Sequence, residues 1–354
     1  MRVERFQPGR PAPGSTDGGA HSALVGSVLA RDLTVDGERW PKGRRVSAAD
    51  LACLAWPATS VKPSGPVTLL VLESGDLHED EAGMRLAAAV AGQGLTVRGP
   101  NESRVDLLAA HAGVLHVRTG LLERLNQIDP LEVFTGFDGS VVSEGALVGS
   151  VKVAPHAVPE SGLNAAERVL GGRPIVSVAP FVPRRVAVVV KESIHAPARD
   201  PFERSVRSKV ESLGSSIVSI EYVEDEPDAV GAAMAAASRR ADLILTAGGG
   251  STDPVDAFFV AIEHLGGRIV RRGVPAHPGS MLWLGRVGRA SVLGLPTCGA
   301  YSKATAADLL LPRLLSGEPA SARTVAKLGH GGILTRDQRF RFPAYARELD
   351  APEG

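Results

Sequence analysis

The residues best placed to do chemistry crowd into one short stretch. Gly248, Gly249 and Gly250 are followed by Ser251, Thr252 and Asp253, and Asp256 stands three positions further on. Ahead of them Leu243 to Leu245 read as a buried parallel strand, so the glycines fall where a strand hands over to a helix. Main-chain amides at such a corner attract phosphate, aided by the positive end of the helix dipole, and Ser251, Thr252 or Asp253 can cap the helix that follows. A tight strand-to-helix turn without a ligand is the plain alternative. Asp256 weighs against it, because a carboxylate beside an anion site calls for a cation, although an acid there also suits a helix cap.

The elements that must position this loop form a regular series. Val186 to Val190 is a β-branched strand, Phe202 to Leu213 a helix, Ser216 to Tyr222 a strand, and Pro227 opens an alanine-rich helix to Arg240. After the glycines come a helix over Val255 to Leu265, strands at Arg268 to Arg271, Met281 to Leu284 and Ser291 to Leu295, and a helix from about Ser302 to Leu315. This alternation predicts an α/β fold with a three-layer open, mostly parallel sheet, and ligands outside the carboxyl ends of its strands.

Upstream the pattern is less regular. Met1 to Gly19, rich in Pro, Gly and Arg, predicts a disordered leader over 1–22. An α+β region is expected over 23–130, with a helix opening at Ser47, a strand at Val67 to Leu72, a helix over Asp80 to Ala91 and another around Asp106 to Ala112. Alternating apolar and polar residues in Leu131 to His156 predict a small β-rich domain over 131–173. Prolines 174, 180 and 183 mark a linker, the α/β domain occupies 184–317, and 318–354 is a C-terminal tail.

With 354 residues the chain is long enough for two or three domains. Its 39 basic and 39 acidic residues cancel, and 4% aromatic content leaves little for base stacking, so nucleic acid is not an expected partner. No apolar run reaches the ~20 residues of a membrane span, and two distant cysteines, Cys53 and Cys298, fit a reducing, cytoplasmic setting. No serine-hydrolase elbow is present. The cluster Glu73, Asp76, His78, Glu79 and Asp80 reads chiefly as a solvated helix N-terminus, with a divalent-metal site as the other reading.

Three segments together, Leu243 to Asp256, Gly273-Val-Pro-Ala-His-Pro-Gly279 and Gly294-Leu-Pro296, resemble in order and spacing the molybdopterin-binding domain of molybdenum cofactor biosynthesis. The resemblance covers about 184–317. Weaker similarity to molybdopterin molybdotransferases lies in Gly26 to Asp32 and Lys42 to Leu51, and Gly329 to Leu334 is similar to the junction that leads into a transferase-like domain in a variant group.

The resemblance implies binding of molybdopterin or its adenylylated form by Gly248, Gly249, Gly250, Ser251, Thr252, His277, Pro278, Gly279, Ser280, Gly294, Pro296, Thr297, Cys298 and Lys303. It implies catalytic and metal-holding roles for Asp256 and Asp253 with Mg²⁺, and molybdate as a further ligand. Residue by residue, Cys298 also suits a buried small hydrophobe and Lys303 a solvated surface. The family's Lys-Pro-Gly-Lys is His277-Pro-Gly-Ser280 here, its Gly-Leu-Pro-Gly-Asn-Pro is Gly294-Leu-Pro-Thr-Cys-Gly299, a glycine is Asp253, and Lys191-Glu-Ser-Ile-His195 replaces Gly-Asp-Glu-Leu. Loss of two lysines weakens oxyanion grip. Three functions are consistent with this: a molybdotransferase-like enzyme, a carrier that passes the cofactor to a molybdoenzyme or separate transferase, and a nucleotide pyrophosphate hydrolase. A homo-oligomer is expected in each.

Overall fold

The computed structural model describes residues 1–8, 22–55, 65–101, 103–191, 196–295 and 304–349. The chain divides into two units, the first made of Met1–Ala110, Val117–Gly136 and Glu144–Ser177, the second of His111–His116, Phe137–Ser143 and Val178–Gly354.

In the first unit, Arg2–Phe6 is a strand and not part of a disordered leader. It pairs antiparallel with Val67–Val71, and Phe6 enters a core with Leu29, Trp40, Leu51 and Leu54. The helix expected at Asp106 to Ala112 is also a strand, Arg104–Ala109. Its burial alternates, with Val105, Leu107 and Ala109 inside, a period of two that no helix can serve. The expected β-rich domain over 131–173 does not stand apart. Leu131–Thr135 and Leu147–Val153 join Arg104–Ala109 and Leu95–Asn101 in one antiparallel sheet, against which the helix Glu79–Val90 turns Ala82, Leu86 and Val90. The acidic cluster is a helix start: His78 caps that helix, and Glu79 is buried beside His156 at 3.0 Å.

The second unit carries a six-stranded sheet. Its elements are β1 (Arg185–Val190), α1 (Ala196–Glu211), β2 (Ser216–Tyr222), α2 (Pro227–Arg240), β3 (Leu243–Ala247), α3 (Ala257–His264), β4 (Arg268–Arg272), β5 (Trp283–Val287), β6 (Ala290–Leu295) and α4 (Ala306–Leu315). The strand order is β2-β1-β3-β6-β5-β4. Pairs β1·β2, β1·β3 and β3·β6 are parallel, whereas β6·β5 and β5·β4 are antiparallel. The sheet is therefore mixed. Gly288 at φ +56° closes a two-residue turn between β5 and β6, too short for the crossover a parallel neighbour needs.

Each strand in the middle is buried on both sides. Val186, Val188 and Val190 of β1 pack with Phe202, Val206 and Val210 of α1 and with Leu310 of α4, while Ala187 and Val189 face Val230, Met234, Phe258 and Ile262 of α2 and α3. Such two-sided burial explains the unbroken apolar run of β1 from Val186 to Val190.

The expected linker over Pro174 to Arg185 contains a strand, Val176–Pro180, and the expected tail is core. Ala320, Val325, Leu328, Phe342, Tyr345 and Ala346 all belong to the cluster under α1 and α4. Two upstream segments also lie in this unit, where Val141 and Val142 pair with Val114 and Gly113, and Asp138 reaches Arg313 of α4 at 2.9 Å.

Candidate functional site

β3 ends at Ala247, and nine residues separate it from α3. The helix starts after Asp256, not within the glycines, so the capping expected of Ser251, Thr252 or Asp253 falls to Asp256. Its Oδ1 accepts the Phe258 amide at 2.9 Å. The positive end of the α3 dipole is thus met by this carboxylate rather than by the glycine amides.

The glycine corner is held by close packing. A Cβ on Gly249 would lie 2.8 Å from Phe258 Cδ2 and 3.0 Å from Asp256 Oδ2, so only glycine fits between the loop and the start of α3. The Ser251 amide donates to the Met281 carbonyl at 3.2 Å and is occupied in that contact. Among the described residues, no acceptor takes the amides of Gly248, Gly249 or Gly250. Three successive open donors are what an anionic oxygen needs.

Beside them lies a cation outside the expected site residues. Lys191, the residue after β1, is 7% exposed, and its Nζ stands 3.1 Å from Asp256 Oδ2 and 2.7 Å from Asp225 Oδ1. The ammonium also lies 5.6 Å from the Phe258 ring centroid. Burial pushes the Lys191 pKa down, but hydrogen bonds to Asp225 and Asp256 outweigh it and hold the ammonium above the ordinary lysine value. Its signal in the sequence is a cation that directly ends a run of five apolar strand residues, at the carboxyl edge where ligands sit.

The second loop meets the first. Gly273 and Ser251 are neighbours, with Ser251 Oγ 4.0 Å from where a Gly273 Cβ would stand, and Val274 bonds the Ser280 carbonyl at 2.9 Å. His277 is exposed, its main chain pairs with Gly332 and Leu334, and the Pro278 carbonyl takes the Ala306 amide at the start of α4. His277 and Ser280 thus lie on the outside of this loop, Pro278 is half-buried and Gly279 is buried. Gly294 has a packing reason of its own. The Trp283 indole packs against it so closely that any Cβ would be driven into the ring. Pro296, Thr297, Cys298 and Lys303 lie outside the described residues.

Mg²⁺ fits these residues poorly. Asp256 directs one oxygen to the Phe258 amide and the other to Lys191, while exposed Asp253 accepts the Val255 amide at 2.9 Å. Among the described residues no group of three His, Cys, Asp or Glu side chains gathers to hold a metal. The glycine amides, open among the described residues, suit an oxyanion better than the committed carboxylates suit a cation.

Residues 175–316 match the family model described as a probable molybdopterin binding domain. Among solved structures, the molybdopterin biosynthesis moea protein from Pyrococcus horikosii is 15% identical, covering 69% of this chain and 81% of that one at a TM-score of 0.31. The molybdopterin biosynthesis enzyme MoaB from Thermus thermophilus is 23% identical, covering 38% and 98% at 0.30. A CinA protein of unknown function from Thermoplasma acidophilum is 14% identical, covering 32% and 89% at 0.27. No helix among the described residues is long and apolar enough to cross a membrane. It is the family match over β1 to α4, and not these low structural scores, that likens this part of the chain to a molybdopterin binding domain.

Proposed function

We propose that the chain binds molybdopterin, or its adenylylated form, with the ligand's phosphate on the amides of Gly248, Gly249 and Gly250 and beside Lys191. The observation that supports this is three successive amides with no acceptor among the described residues, next to Asp256 and its partner Lys191 at the carboxyl edge of β1 and β3. Lys191 supplies an ammonium donor near the loop, its charge already met by Asp256 and Asp225, where His277 and Ser280 leave none of the family's lysines. The loop around Gly273 to Ser280 lies alongside and contributes the wall for the ring end of the ligand.

Of the catalytic and carrier readings, the carrier is favoured. Asp256 is already neutralised by Lys191 and committed to the α3 cap, so it has no free oxygen to act as a base or to hold a metal. The proposal places the chain in the cytoplasm as a homo-oligomer that passes the pterin to a molybdoenzyme or a separate transferase. Incubating the purified chain with molybdopterin, nucleotide and molybdate tests it: retention of the pterin without nucleotide turnover supports the carrier. Turnover that Asp256→Asn abolishes would establish the molybdotransferase-like enzyme. Release of pyrophosphate from a dinucleotide without pterin would establish the hydrolase.

A further inference from the structure

The sheet of the second unit has a second ligand-sized hollow, at the opposite end from the glycine loop. A cavity of about 400 Å³ is lined by Arg184, Asp242, Arg286, Arg289, Ser291 and Glu318. Arg184 precedes β1, Asp242 precedes β3, and Ser291 at the start of β6 pairs with Leu243 of β3 and with Arg286 of β5. The four rises of β3, at ~3.3 Å per residue, put roughly 13 Å between this floor and the glycine corner. The two places are separate.

The charges in the cavity do not balance. Asp242 is engaged by Arg185, whose amide lies 2.9 Å from Oδ2 and whose guanidinium lies 3.4 Å from Oδ1. Glu318 is held by Arg313 at 3.0 Å and Lys327 at 3.6 Å. Among the described residues, Arg184, Arg286 and Arg289 form no ion pair, and Arg286 Nε is buried with no hydrogen-bond partner. That nitrogen is shut off from the hollow as well as from solvent, so it is the half-buried Arg184 and Arg286 and the exposed Arg289, none in an ion pair, that leave positive charge on the cavity wall. Three arginines on the wall of one hollow offer forked donors of the kind that bind phosphoryl oxygens, and the volume is within the range of small-molecule sites.

We propose that this cavity is a second anion site, which takes a small phosphorylated molecule on Arg184, Arg286 and Arg289. Ser291 on the cavity wall adds a hydroxyl donor. The inference is independent of the pterin reading, because no residue of the glycine corner takes part.

Calorimetric titration of the full chain with inorganic pyrophosphate at low salt, repeated with succinate, tests it. Three variants accompany the wild type: Arg286→Gln, the double change Arg184→Gln/Arg289→Gln, and Lys191→Met in the glycine-loop site, with circular dichroism reporting that each is folded. The wild type is expected to bind pyrophosphate, with affinity reduced at least tenfold in both arginine variants and within twofold of wild type at this site in Lys191→Met. Weaker binding of succinate supports a phosphoryl ligand. Equal binding of succinate overturns that choice in favour of a general dianion. Pyrophosphate binding unchanged in both arginine variants, or removed only by Lys191→Met, overturns the site. Failure of the pterin reading alone would remove the Lys191-sensitive binding and leave the arginine-sensitive binding in place.

Discussion

Replacing Lys191 with Met isolates the central electrostatic contact of the glycine corner. Met keeps the length of the side chain and its packing on Phe258 but removes the charge, leaving Asp256, at 5% exposure, without its cation. Breaking a buried pair by deleting one member costs about 3–5 kcal/mol, because the remaining charge stays desolvated. Two features pull the figure toward the low end. Asp256 keeps the Phe258 amide at 2.9 Å, and Asp225, the other partner, is 60% exposed and is solvated when released. The expected loss is therefore about 3 kcal/mol. Asp256→Asn should cost less, about 1–2 kcal/mol, since the amide can still cap α3 and Lys191 retains Asp225. The double variant should be more stable than the two single losses added together, by about 1–2 kcal/mol of coupling. Urea unfolding followed by circular dichroism measures the loss. A Lys191→Met protein within 0.5 kcal/mol of wild type, on the order of the usual effect of a surface change, would refute the buried-pair account.

Other outcomes follow from the same physical reasoning. Gly294→Ala forces a methyl into the Trp283 indole and is expected to cost about 1–3 kcal/mol, with a shift in the Trp283 emission maximum as the ring moves. Thr305→Ala removes the side chain that caps α4 and bonds the Ala307 amide at 3.2 Å; a loss of about 1 kcal/mol in urea unfolding is expected. In the first unit, the Arg98 guanidinium, with help from Ser150 and Arg104, draws the Asp106 carboxyl from the ordinary 3.8 down to about 2. A group that is more acidic when folded stabilises the fold above its unfolded pKa and loses that effect as pH falls toward the folded value. Asp106→Asn should therefore lower stability by about 1 kcal/mol at neutral pH, after allowance for solvent screening of the exposed arginines, and the difference from wild type should vanish near pH 2. Equal stabilities at pH 6 would contradict it.

Much of the second unit was legible because its signals are local. The run Val186 to Val190, the proline that opens Pro227–Arg240 and the residues of Ser216–Tyr222 each mark an element by composition alone. The antiparallel turn of β5 onto β6 was less visible. Its cue, Gly288 and Arg289 between short apolar runs, is only two residues long and lies amid strands that also suit a parallel sheet. Arg104–Ala109 misled because Val105, Leu107, Leu108 and Ala109 satisfy a helical spacing as readily as an alternating one, and pairing with Leu147–Val153 decides between them. Arg2–Phe6 gains its strand from Val67–Val71, a partner more than sixty residues away that no local pattern announces.

The candidate site divides in the same way. The glycines and Asp256 could be picked out, since glycine repeats and a carboxylate near a strand end are conspicuous. The role of Asp256 could not, because it depends on Lys191, sixty-five positions earlier, arriving at 3.1 Å through the parallel pairing of β1 and β3. The packing role of Gly294 could not be read either, because Trp283 comes against it only through the pairing of β5 and β6.

The most direct test of the account is a fluorescence titration of molybdopterin against the wild-type chain, Lys191→Met and Gly249→Ala, each shown to be folded. A site built on the glycine amides and the Lys191 ammonium predicts saturable binding by the wild type and affinity at least about tenfold weaker in both variants, equivalent to roughly 1.4 kcal/mol each. Binding of equal strength by all three proteins would contradict it, and would place the pterin away from the corner between β3 and α3.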